Sequence, residues 1–596
     1  MFCSVRFVAP WNCMLDLTHY FAQVCEYGHV GLVIRTQGAQ HFFLCTVNPL
    51  TGRKPRIGLA ADKVTDAGGV QCEIVNARFN YNGAPITVCL ALAEIGDDYG
   101  DGVAEAGGFS CFQKIVEILE EHGIECFVGE GADAASMLNE HGQHDQISCF
   151  VSDGEQVYRS EEMGVFHYFH HEDGIGDPTI LTYWDPPHAI DILKSHAQSD
   201  YVSQTHVLIK AVWSHFSQSQ KRSRQLDKFV AKHAADWLNL HYLFPVRFVE
   251  SEYKSLLAFA KDLALVVKFL RREQSDKSTE PNMLAKIVGW LRMLTSLKFI
   301  ATLLTSIDID EQLKILPKET QSDRSLVIYY PEQRRNCLSR LTQLQSDLGE
   351  NSKARLADLK QKRYKFDKVA RPLQPQVLVR NDEPDDGDDD DALGPGGAPT
   401  SMVLHPETDY IDIHVFGVES GDIAGDLLKY QKEQVGHMVA EFDTIIADVD
   451  VFTHLATIFR FDEMLTELKR GLSHSSTKLL LAKVDASIDY LIAHRYKSLD
   501  AYQTKTEWQR VFYWLCEKWQ QFWDEDAVPD TASSKTKAKW RASPFLNLVG
   551  NGGVFGALFQ SEGPSDIAGF LLMSDGMISL RTCQSDTERA GIIVVS

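Results

Sequence analysis

Apolar positions in this chain follow two regimes. Between Arg56 and Gly129 they come as short unbroken runs, and from Ala189 to about Leu348 they recur at helical spacing. RIGLAAD (56–62), VQCEIVNARF (70–79) and APITVCLALAEI (84–95) read as three buried strands, with Tyr81-Asn82-Gly83 as a hairpin signal between the last two. CFQKIVEILEEHG (111–123) puts Ile115, Ile118 and Leu119 on one helical face and ends on Gly123, a C-terminal cap residue. IECFVG (124–129) reads as a fourth short strand, just before GADAASML. The predicted order is strand, strand, strand, helix, strand.

ISCFVS (147–152) and TILTYW (179–184) are two further candidate strands. HVLIKAVWSHF, LDKFVAKHAADWLNL, YKSLLAFAKDLALVVKFL and MLAKIVGWLRMLTSLKFIATLLT then predict a long helical region. IDIHVFGV (411–418) is strand-like and precedes helices to about Trp523. The resulting division is a poorly patterned lead-in (1–55), an α/β core (56–245), a helical insertion lobe (246–372), an acidic Pro/Gly linker (373–400), a helical C-terminal region (401–525) and a tail (526–596). No internal repeat stands out.

Composition narrows the function classes. The formal net charge is −23, and Asp382–Asp391 alone contributes eight acids, so any nucleic-acid surface must be a local patch. Nine of twelve Cys precede Phe150 and no CxxC occurs, which points to reduced thiols rather than a disulfide framework or zinc ribbon. The first residues lack a secretory pattern, and no apolar run reaches the roughly 18 residues of a membrane span. The expectation is a protein without membrane contact, nuclear or otherwise cytoplasmic.

Asp62 closes the first apolar run. If the helix after the three-strand meander returns the chain by a right-handed crossover, the fourth strand lies parallel to the first, and both end at the same sheet edge. Asp133 follows IECFVG by a few residues, so two carboxylates would meet where open α/β sheets place ligands. Paired carboxylates suit hard divalent cations, and two such ions promote phosphoryl transfer.

Local words sharpen this picture. Asp62-Lys63-Val64-Thr65-Asp66, Arg78-Phe79 with Gly83, Gly129–Met137 with Asp133 and closing Gly142, His188 followed by Leu193, and FSQSQKRSRQL (216–226) come in the order of the hAT superfamily of DNA transposases and their descendants. Arg247-Phe248 resembles that family's Arg-Trp pair. The resemblance covers roughly residues 56–270. It implies a ribonuclease-H-like mixed sheet with a large all-α insertion and a helical C-terminal region. It further implies DNA as partner, Mg²⁺ or Mn²⁺ held by Asp62 and Asp133 as catalytic residues, and DNA contacts from Arg247, Phe248, Lys221 and Arg222. Water would attack for cleavage and a 3′-hydroxyl for joining. His188 would be structural, supporting a helix against the sheet.

The sequence departs from the family at three points. Asp185 stands where the family has the Cys of its CxxH element, no N-terminal zinc finger precedes Asp62, and no word marks the third acid. Glu507 and Glu517 lie in an aromatic-rich helical stretch, but nothing selects either. The expectation is therefore a transposase-derived chain, incomplete as an enzyme, with self-association left open. The alternative is a non-catalytic interaction protein derived from a transposase.

Plainer readings stand beside these. Asp is common at strand ends and in turns, and Asp66 suits a turn cap. Phe248 suits a core and Arg247 a surface. His167, His170, His171, Glu172 and Asp173 lack a ligand spacing and read as a solvated loop. The basic stretch 352–371 is a solvated helix face or a phosphate-contacting surface.

Overall fold

A computed structural model describes residues 56–65, 71–81, 84–95, 107–124, 126, 144, 146–153, 155–232, 249–320, 327–365, 412–418, 421–460, 464 and 474–522. The lead-in, the acidic linker and the tail lie outside these residues. In chain order the elements are β1 (Ile57–Thr65), β2 (Gln71–Tyr81), β3 (Ala84–Glu94), α1 (Gly108–Glu121), β4 (Ile147–Ser152), α2 (Gln156–Arg159), α3 (Val165–His170), β5 (Leu181–Trp184) and α4 (Pro186–His196). There follow α5 (Asp200–Ser217), α6 (Gln220–Lys232), α7 (Val249–Ser275), α8 (Pro281–Leu294), α9 (Leu297–Leu313), α10 (Ile315–Thr320), α11 (Tyr330–Leu344) and α12 (Glu350–Lys360). The last are β6 (Arg363–Lys365), β7 (Asp412–His414), α13 (Ile423–Ile445), α14 (Asp450–Phe459), α15 (Ser475–His494) and α16 (Ala501–Phe522). The chain is mixed α/β and mostly helical.

The chain divides into two compact units. The first carries a five-stranded sheet of order β3-β2-β1-β4-β5. β1, β2 and β3 form an antiparallel meander; β4 runs parallel to β1, and β5 parallel to β4. Strand residues alternate between faces. Ile57, Leu59 and Ala61 of β1 and Val75 and Ala77 of β2 point to the side where α1 packs Phe112, Ile115, Ile118 and Leu119. Ala60, between them, is also buried, so β1 is covered on both faces and reads as a nearly continuous apolar run. Helix α1 ends in a Schellman turn: Gly123 has φ +75°, its N–H bonds to Glu120 O, and Ile124 N–H bonds to Leu119 O.

Two expectations need correction here. β1 does not stop at Asp62 but runs on to Thr65, because β2 keeps pairing with it after β4 has left at Ala60↔Val151. The strand parallel to β1 is Ile147–Ser152 rather than IECFVG, of which Ile124 and Cys126 lie outside any strand.

Helices of the same unit fasten onto this sheet. Buried Arg495, just past α15, donates to Ser148 O on β4 and Thr179 O before β5. Tyr183 of β5 meets Phe452 of α14 edge-on at 5.2 Å, and Tyr330 meets the same ring at 5.5 Å.

The second unit comprises residues 197–312 and 341–438. Leu263, Leu270, Phe299, Leu303, Leu359 and Leu427 share its core. β6 pairs antiparallel with β7, and Tyr364 Oη donates to Ala260 O at 2.6 Å, tying that ribbon to α7. Asp308 of α9 caps α12 by accepting from Asn351 N, Ser352 N and Ser352 Oγ at 2.8, 3.0 and 2.6 Å.

Candidate functional site at the carboxyl edge of the sheet

β1 and β4 are parallel, so both point the same way past their last shared pair, Ala60↔Val151. Two residues beyond that pair stand Asp62 on β1 and Asp153 just after β4, and the charges of both reach Glu73. Both are buried, at 1% and 4% exposure. Asp153 Oδ1 accepts from Glu155 N at 3.0 Å, which turns the chain into α2.

Glu73, on the neighbouring strand β2, feels both charges. Its carboxyl is pushed up to about 8, first by complete burial and then by the negative charges of Asp62 and Asp153. A hydrogen bond from Tyr158 Oη at 2.8 Å pulls in the opposite direction. At neutral pH Glu73 is therefore mostly protonated, and the edge holds two aspartates beside a neutral acid.

β5 extends the row. Ser152↔Trp184 is its last pair with β4, and Asp185 N–H donates to Ser152 O at 2.9 Å. The next register position places Asp185 beside Asp153. Asp185 is fully buried, and His188 Nδ1 lies 3.3 Å from its Oδ2. Pro186 and Pro187 open α4 and bring no N–H for this carboxylate to cap, so it is left to orient the imidazole. His188 thus packs at the start of α4, held by the residue that replaces the Cys expected from the resemblance.

Carboxylate oxygens at facing strand tips are the donors a hard divalent cation takes. Among the described residues, however, no group of three or more His, Cys, Asp or Glu is arranged to hold a metal ion. The described donors do not make up a complete cation site.

Several expected site residues, Asp133, Asp66, Arg247 and Phe248, lie outside the described residues. Lys221 and Arg222 sit on the first turn of α6 in the second unit. Glu507 is buried on α16 and accepts from Gln503 Nε2 at 2.9 Å; the side chain of Glu517 is outside the described set. The histidine-rich segment, read from sequence as a solvated loop, begins in a helix: His167 and His170 lie on α3 and are half-buried, His167 bonds Asp173 at 3.1 Å and stacks on His171, and His170 bonds Ile180 O. Much of the charge in the basic stretch is held locally: Lys353 by Asp347 and Glu350, Arg355 by Lys365 O, and Lys365 by Asp358.

Asp153 is the residue that sequence reasoning missed. Its signal is the one that singled out Asp62, an apolar run ending in an acid, since ISCFVS is followed directly by Asp153. Among the described residues no helix is long and apolar enough to cross a membrane. A scan of the chain against models of known protein families matches none of them, and a search of curated proteins finds no match.

Proposed function

We propose that this chain is a hAT-transposase-like DNA-binding protein with a ribonuclease-H-like core. Its ancestral chemistry is divalent-metal-dependent DNA strand cleavage and transfer, and its catalytic set is incomplete. The observation that carries the reading is the sheet itself. Three antiparallel strands, a helix and a strand returned parallel beside the first are the arrangement on which the resemblance rests. The buried acids just beyond the paired part of β1 and β4 are Asp62 and Asp153. Asp153 joins Asp62 as a proposed acid of this edge, and Asp133 lies outside the described residues. The word FSQSQKRSRQL, which spans the end of α5 and the start of α6, is a second support.

Mg²⁺ or Mn²⁺ would supply charge neutralisation at the reacting phosphate when bound. The chain's own part is to hold two carboxylates at fixed separation, with Glu73 protonated behind them. The protein would work on chromatin or other nuclear DNA.

The test is incubation of the full chain with hairpin and flanked duplex DNA in Mg²⁺ or Mn²⁺. Nicking that vanishes in both Asp62→Asn and Asp153→Asn establishes retained catalysis. DNA binding without nicking establishes a binding protein on a transposase scaffold. Neither binding nor nicking removes the DNA reading and favours the protein-interaction alternative.

A further inference from the structure

The second unit carries a cationic corner whose geometry goes beyond the two residues singled out from sequence. Helix α6 displays Lys221, Arg224 and Lys228 at spacings of three and four residues, one stripe on a single helix face, and all three are exposed. Leu226 and Phe229 are buried on another face of the same helix. Arg222 departs from the stripe: it is half-buried, and its Nε lies 3.8 Å from Glu273 Oε1 on α7.

That ion pair fixes the first turn of α6 against the last turn of α7, where Arg271 and Arg272 are exposed and Lys277 follows. Asp276 lies near both helix ends: hydrogen bonds from Ser278 first, and then the charges of Lys221 and Arg272, hold its carboxyl below the usual range. Residues 220–229 and 271–277 contain seven cations against three acids, in a chain of net charge −23.

The three acids of the corner offset only part of its seven cations. Glu273 is turned inward to His215 Nε2 at 2.7 Å and to Arg222. Asp276 accepts Ser278 N and Ser278 Oγ at 2.9 and 2.8 Å in its own turn. Asp227 is exposed and stands three residues after Arg224, a spacing at which helix side chains are neighbours, so it offsets part of the stripe's charge. The excess positive charge therefore faces solvent. In the basic stretch 352–371, by contrast, local carboxylates and carbonyls take up much of it.

We infer that the Lys221–Arg224–Lys228 stripe, with Arg271 and Arg272, binds the phosphate backbone of duplex DNA, while Arg222 positions α6 and makes no phosphate contact. This rests on the DNA-binding reading above. Contacts to phosphates position a protein on the duplex and carry no sequence information, so this surface predicts affinity without sequence preference. Each phosphate contact releases condensed counterions, so the contacts are read out in the salt dependence.

The experiment is fluorescence anisotropy of the full chain on a labelled duplex of arbitrary sequence across a salt series. It compares the wild type with Lys221→Glu/Arg224→Glu/Lys228→Glu and with Lys221→Arg/Lys228→Arg, each checked for native circular dichroism. The charge-reversed protein is expected to bind at least about tenfold more weakly, with a slope of log K against log salt reduced by about 2 to 3. The arginine variant should bind like the wild type. Unchanged affinity and slope in the charge-reversed protein overturn the corner while leaving DNA binding intact. A wild type that binds anionic phosphatidylserine vesicles but no duplex overturns both and assigns the charge to a membrane surface.

Discussion

Tyr158 donates a 2.8 Å hydrogen bond to Glu73 across 85 residues of chain, and both side chains are fully buried. The pair joins the helix that follows β4 to the strand beside β1, and so braces the turn that carries Asp153. Tyr158→Phe leaves a buried carboxyl without its donor at an expected cost of about 1–3 kcal/mol. Urea midpoints of the two proteins check this.

The same carboxyl sets a pH dependence. Glu73 titrates at about 8 in the folded chain against 4.5 ordinarily, so between these values the folded state holds the extra proton. Its contribution is fully present below about pH 4.5, declines as pH rises and is lost by about pH 8. Glu73→Gln keeps the shape and the acceptor but cannot ionise. In that variant this portion of the stability–pH curve should flatten, as chemical denaturation at about pH 5, 7 and 9 would reveal.

In the helical unit, Asp308 is the cap of α12, and Gly349 lies so close that an added Cβ would come within 2.1–2.5 Å of the Asp308 side chain. Asp308→Ala removes several hydrogen bonds at once and should cost about 2–4 kcal/mol. Gly349→Ala should also destabilise, by pushing the carboxylate off the helix end. Asp308→Asn, which retains one acceptor oxygen, should lose less than Asp308→Ala. Thermal melts order the three variants.

Four described thiols are shielded by burial. Cys111, Cys126 and Cys337 are pushed up to about 12, and Cys149 to about 11. None presents a thiolate at neutral pH. Alkylation followed by peptide mapping should leave these four unmodified in the folded protein and modify them in denaturant.

Much of the first unit could be read from local pattern because local pattern decides it. The three apolar runs are β1 to β3, and Gly123 caps α1 since only a residue tolerant of positive φ closes that turn cheaply. The fourth strand could not be read this way. IECFVG and ISCFVS are near-identical short apolar runs, and what separates them is parallel pairing with β1, a contact spanning about ninety residues. IECFVG leads to Asp133, which lies outside the described residues, and ISCFVS leads directly to Asp153.

Charge misled in a similar way. Composition marks 352–371 as a basic surface, yet Asp347, Glu350 and Asp358 hold three of its side chains through contacts that composition does not display. The same limit applies to Arg222, whose 3.8 Å approach to Glu273 is not announced by any spacing in the sequence.

The central proposal is that Asp62 and Asp153, two buried acids near Glu73 at the sheet edge, together supply part of a divalent-cation site. Manganese binding to the purified chain, followed by electron paramagnetic resonance, tests it most directly. The account predicts one class of bound Mn²⁺ that disappears in Asp62→Asn and equally in Asp153→Asn, with both variants folded. Mn²⁺ binding that is identical in the wild type and the two variants would contradict it.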